Sequence, residues 1–146
     1  MTIRHIIEAA ARLRDSPLSE QAKIDCLSEL DCKIYEDIIL RHEGAAAYMP
    51  CGADGQPAHR VFPYTTDTQE LIAPSRFQKM YVYYLCMEMD LALDEIDRYT
   101  NDLILFQKFY NEFAAHYNEK RMPRHEGKII TAPKFIRRDA GVFRNE

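Results

Sequence analysis

The chain has 146 residues, 47% of them hydrophobic and 29% charged, with a formal net charge of −4. That length allows one domain with a modest core, and that composition is typical of a soluble globular protein. The longest apolar run, residues 80–87, contains three tyrosines and is far short of the roughly 20 residues a spanning helix needs, so no membrane-spanning helix is expected.

Residues 3–13 predict a short helix, with Ile3, Ile6, Ile7, Ala10 and Leu13 on one face. Asp15-Ser16-Pro17 breaks it. Ser16 and Pro17 also suit a helix start, so the next helix is expected from about Pro17 or Glu20 to His42. Ile24, Leu27, Leu30, Ile34 and Ile38 form its apolar stripe. Glu29 and Lys33 make an i,i+4 pair on its wet side. Arg41-His42-Glu43-Gly44 signals the end: cations suit the negative end of the helix dipole, and Gly44 suits a left-handed cap.

Residues 44–73 lack a helical period and carry Pro50, Gly52, Gly55, Pro57 and Pro63. Asp54-Gly55 predicts a turn, and a small hairpin is expected between residues 46–49 and 60–62. A loop this long reads as a contact arm ordered by a partner.

Pro74 then opens the most informative stretch, residues 74–117, which has no further glycine or proline. Phe77, Met80, Tyr81, Tyr84, Leu85 and Leu91 give one stripe. Val82, Met89 and Ile96 give a second on another face. A helix apolar on two faces lies centrally in a bundle or between subunits, and Val82, Met89 and Ile96 are expected to meet a neighbouring subunit. A turn is placed near residues 94–97. Tyr99, Leu103, Phe106, Tyr110, Phe113 and Tyr117 then repeat at 4-3-4-3-4, the seam of an antiparallel helix hairpin. Met122-Pro123 ends that helix. The division is thus a helical domain at 1–122 and an extended basic arm at 123–146. The apolar pairs Ile129-Ile130 and Phe135-Ile136 are the arm's expected contacts with another subunit.

The net charge conceals an asymmetry. Residues 118–146 carry eight Lys/Arg against four Asp/Glu, or +4, which leaves −8 on residues 1–117. An acidic body repels nucleic-acid phosphates, while the basic arm can dock on an acidic surface, including another copy of this body.

No catalytic constellation converges. His5, His42, His59, His116 and His125 are scattered, and Arg-His-Glu-Gly at 41–44 and 124–127 reads as two helix ends. Cys26, Cys32, Cys51 and Cys86 match no zinc spacing and read as reduced thiols. Asp90, Asp94 and Asp97 would share one helical face, but the glycine of a calcium loop is missing, so an acidic strip is expected there and no metal. The serines lack a nucleophile elbow, and no glycine-rich phosphate loop is present. Asp25, Glu29, Asp31, Glu36 and Asp37 give the second helix the wrong charge for reading DNA. No cofactor is expected, and the chain reads as a non-enzyme.

Two blocks carry a resemblance. The first is Leu27-Ser28-Glu29-Leu30-Asp31-Cys32-Lys33-Ile34-Tyr35-Glu36-Asp37-Ile38-Ile39-Leu40-Arg41-His42-Glu43-Gly44. The second runs from Tyr64-Thr65-Thr66-Asp67-Thr68-Gln69-Glu70-Leu71-Ile72-Ala73-Pro74 through Met80-Tyr81-Val82-Tyr83-Tyr84-Leu85 to Tyr99-Thr100-Asn101 and Phe106-Gln107-Lys108-Phe109-Tyr110-Asn111-Glu112-Phe113. Over roughly residues 20–123 the chain resembles a family of small prophage proteins of gut bacteria, similar in layout to the head–tail connector (adaptor) proteins of tailed phages. The resemblance implies an all-α virion protein, made in the bacterial host cytoplasm and located in the neck. It implies a homo-oligomeric ring, commonly twelve-fold, docked beneath the portal protein and followed by a downstream neck or tail-terminator protein. DNA would pass through the ring without sequence-specific binding, and Asp90, Asp94 and Asp97 would face that channel. Such proteins have no catalytic residues to carry over. The competing expectation is a small helical regulatory or interaction protein of a phage or mobile element.

Overall fold

The computed structural model describes residues 1–121 and is mainly helical. Four α-helices follow in order: α1 (Ile3–Ala11), α2 (Glu20–Ile34), α3 (Gln78–Ala92) and α4 (Ile96–Glu119). The all-α class expected from the sequence is observed. The arm at 123–146, with Ile129, Ile130, Phe135 and Ile136, lies outside the described residues.

The first helix buries Ile3, Ile6, Ile7 and Ala10. Its N-terminal amides are satisfied from a distance. Ile3 N donates to Gln69 O at 3.1 Å and Arg4 N to Asp67 O at 2.9 Å. The Arg4 guanidinium also holds the Asp67 carboxylate at 2.8 and 3.2 Å. The expected wall at Leu13 is half exposed, because the helix has already ended.

The second helix is capped by Ser19, whose hydroxyl accepts from Ala22 N at 3.2 Å. Ser16, the expected cap, serves the preceding turn by accepting from Leu18 N. After Ile34 the helix widens into a π-turn over Tyr35–Ile39. His42 Nδ1 lies 2.8 Å from Ile38 O, and Gly44 takes φ +82°, the left-handed cap its position predicts. Lys33 lies 5.7 Å from the centre of the Tyr110 ring.

The long loop is not the free contact arm expected. A 3₁₀ turn, Ala45–Tyr48, opens it, and a tight flap closes around Asp54-Gly55, with Gly55 at φ +76°. The flap's limbs pair at Cys51 and Pro57, inside the wider limbs expected. Beyond it, Tyr64, Leu71, Ile72 and Ala73 are buried in this subunit's own core. Backbone pairing of Leu71 N with Met1 O, at 2.9 Å, ties the loop to the chain's first residues.

Pro74 leads into a 3₁₀ turn, Ser75–Phe77, and then α3. This helix is central: α1 and α2 pack against it, and α4 lies along it as the second limb of a hairpin. The seam forecast on α4 is used inside the subunit. Phe106, Phe113 and Tyr117 are buried, and Tyr83 stacks on Phe109 at 5.8 Å.

Centrality corrects the interface assignment. Val82 and Met89 belong to the subunit's own core, Met89 with no exposed surface. The second apolar face of α3 is therefore covered by other helices of the same chain. Of that trio only Ile96 is open to solvent, 66% exposed at the first position of α4.

Candidate functional site

Two buried carboxylate centres, one of Asp31 and one of Asp90 with Asp102, organise the interior, and one open apolar edge lies beside the second of them. The first centre is Asp31 on α2, fully buried. Its carboxylate accepts from Tyr64 Oη at 2.5 Å, Tyr81 Oη at 2.6 Å and Ile72 N at 3.2 Å. Ser28, one turn earlier, accepts from Tyr64 N at 2.8 Å. Burial raises the Asp31 pKa, opposed by the hydrogen bonds from Tyr64 and Tyr81. Burial beside this acid raises Tyr81 well above the ordinary tyrosine value. Sequence reasoning missed this centre. The signal was present: Ser28 and Asp31 are polar residues at core-facing positions between Leu27 and Ile34.

An open cleft of about 550 Å³ borders this centre, lined by Tyr48, Arg60, Tyr64, Thr66, Gln69 and Glu70 among others. Arg60 is already engaged within the chain. Its Nε donates to Tyr48 O at 2.8 Å, and Nη1 donates to Tyr64 Oη and Glu70 O. The cleft's cation thus fastens the loop.

The second centre joins three elements near the hairpin turn. Asp90 on α3 has no exposed surface, and Asp102 on α4 has 3%. Arg14, just after α1, approaches both: Nε lies 3.5 Å from Asp90 Oδ1, and Nη2 lies 3.4 Å from Asp102 Oδ2. One arginine serves two acids here. Burial, together with the neighbouring Asp90 carboxyl, pushes Asp102 up to about 6.

This geometry dissolves the expected acidic strip. Asp90 cannot face a channel, because it is enclosed under Arg14. Asp94 stands in the hairpin turn at φ +58°, a conformation that aspartate tolerates better than most residues. Asp97 lies in the first turn of α4, where a negative charge suits the helix dipole. Asp94 and Asp97 are exposed, but the chain reverses between them and Asp90, so the three share no helical face. Among the described residues, no group of three or more His, Cys, Asp or Glu is placed to hold a metal ion.

The open edge is the hairpin tip. Leu91, Leu93 and Ile96 are 56%, 48% and 66% exposed. Leu91, Ile96 and Tyr99 line a groove of about 160 Å³, together with Asp90, Asp94 and Glu95. Leu91, Leu93 and Ile96 stand within six residues at the turn between two helices, and Ile104 is exposed further along α4.

No family model, curated protein or solved structure matches the chain. All four cysteines are free, with Cys26 and Cys86 each pushed up to about 11 by burial, which makes them poor nucleophiles. Among the described residues, no helix is long and apolar enough to cross a membrane.

Proposed function

We propose that the chain is a structural assembly subunit, a head–tail connector that forms a ring under a portal protein and acts through its interfaces. The observation that carries this reading is the hairpin tip, where Leu91, Leu93 and Ile96 are presented together by a packed α3–α4 pair. A rigid helical arm ending in exposed apolar side chains suits docking. The layout resemblance and the basic sequence of residues 123–146 support the same role.

In this reading the buried acids are structural. Asp31 locks the loop against α2 and α3, and Arg14 with Asp90 and Asp102 locks α1 onto the hairpin. Both give the subunit a fixed shape, which a ring of identical contacts requires.

The test is assembly with portal protein, followed by light scattering and negative-stain imaging. A discrete ring bound to the portal is expected, and Ile96→Asp should weaken it while the chain stays folded. A chain that remains monomeric or dimeric with portal present would overturn the reading in favour of a regulatory protein.

A further inference from the structure

The acidity of the body is not uniform. Where the start of α3 lies beside the second half of α4, residues 75–79 and 108–121 carry five cations, Arg76, Lys79, Lys108, Lys120 and Arg121. Only Glu112 and Glu119 oppose them, which leaves +3. The rest of residues 1–121 carries eight cations against eighteen acids, or −10. Arg76, Lys79, Lys108 and Lys120 are exposed, and among the described residues none of the four is paired with an acid. His116 lies in the same field: burial lowers its pKa, and Arg76 and Lys120 lower it further.

An aromatic ring stands among these cations. Phe109 is half-buried, with Lys79 Nζ 5.7 Å and Lys108 Nζ 5.6 Å from its centre. Tyr83 stacks on it at 5.8 Å and fixes its orientation. The ring helps line an open cleft of about 490 Å³, together with Arg76, Phe77, Gln78, Lys79 and Glu112. That volume falls within the range of clefts that hold small organic molecules.

A ring set between cations is the chemistry that holds an unstacked base and the phosphates beside it. A duplex keeps its bases stacked and offers this cleft phosphates alone, which the acidic remainder of the body repels. An acidic peptide would engage the lysines and leave Phe109 unused. Extent separates a strand from a free nucleotide. Lys108, Glu112, His116 and Lys120 recur every four residues, and about 18 Å of α4 lies between the first and the last. One nucleotide does not cover that distance, whereas a strand does.

We propose that this cleft binds single-stranded nucleic acid, with a base against Phe109 and the neighbouring phosphates on Arg76, Lys79 and Lys108. The site is independent of the hairpin tip and of the assembly role.

The experiment measures fluorescence anisotropy of a short labelled oligothymidylate with the full chain at several salt concentrations. Saturable binding is expected, weakened at least about five-fold by Phe109→Leu, which keeps an apolar side chain but removes the stacking face. The pair Lys79→Gln with Lys108→Gln should flatten the log–log salt dependence by about 1.4. Both lysines are exposed, so urea midpoints should stay at the wild-type value and show that this variant is folded. Absence of binding would overturn the proposal. So would binding indifferent to these variants, which places the strand elsewhere on the chain. Duplex DNA or polyglutamate competing as well as the unlabelled single strand would reduce the patch to bare charge, and thymidine monophosphate competing equally would reduce the ligand to a free nucleotide. Either result would overturn the proposal.

Discussion

The Tyr81 hydroxyl donates to the Asp31 carboxylate at 2.6 Å across 50 residues of sequence, and the same hydroxyl accepts from Ala73 N at 3.2 Å. One phenol thus joins α2, α3 and the end of the loop. Removing it leaves a buried acid and a buried amide each short of a partner. Tyr81→Phe should therefore cost about 1–3 kcal/mol. Urea denaturation checks this, and a midpoint equal to wild type would show that the hub does not hold the loop.

The Asp102 carboxyl lies among Asp90, Arg14, Arg98 and Cys86, and its pKa rises from an ordinary 3.8 to about 6. The folded state therefore holds its proton more tightly than the unfolded state does. The stabilisation from this group is complete below about pH 3.8 and is lost as pH rises through about 6. Wild-type protein should accordingly lose more thermal stability than Asp102→Asn between pH 4.5 and 7. Melting curves of the two across that range would run parallel if the pair were inert. Asp31 is shifted in the same direction but is present in both proteins, so the comparison isolates Asp102.

Met89 and Ile96 make a contrasting pair, one fully buried and one largely exposed. Met89→Ala should destabilise the fold by about 2–5 kcal/mol. Ile96→Ala should change it by no more than about 0.5 kcal/mol, since surface positions contribute little. Chemical denaturation of both variants tests the correction that places Met89 in the core and Ile96 on the surface.

Gly44 ends the second helical segment at φ +82°, and an added Cβ would come no nearer than 3.8 Å to Arg121 Nε. Space is therefore not the constraint. Gly44→Ala should cost about 1 kcal/mol through the left-handed backbone alone, and Gly44→Asn should recover part of it. Equal midpoints for the alanine and asparagine variants would argue against that cause.

Most of the helical frame was legible because it rests on local periodicity. The stripe on α2, the proline before α3, the seam on α4 and the cap at Gly44 are all short-range signals. The faces of α3 were harder. Val82 and Met89 announce a second buried face, but periodicity cannot say whether a helix of the same chain or of another copy covers it. α1 and α2 do so here. The loop was misread for a related reason. Its order comes from Ser28, Asp31 and Tyr81, which are remote in sequence from the residues they hold. Within the tip, Ile96 is exposed although Val82 and Met89, expected on the same stripe, are buried; Leu91, expected on the other stripe, and Leu93 are exposed as well. The reversal at Leu93 and Asp94 frees both, and only the placement of the turn decides that. Likewise, Asp90 reads as part of an exposed acidic strip until Arg14, just after α1, is brought over it.

The central place of α3 also bears on how the chain is made. Its two apolar faces are covered by segments on opposite sides of it in sequence, α1 and α2 before and α4 after. A nascent chain that has emerged only as far as Ala92 already has α1 and α2 to pack, yet the side that receives Phe106, Phe113 and Tyr117 is still bare. Until α4 leaves the ribosome, that aromatic-lined side of α3 stays uncovered, and transiently exposed apolar surface makes a chain prone to aggregate. Translation pauses within α4 should therefore be more hazardous to this protein than pauses within α1 or the loop.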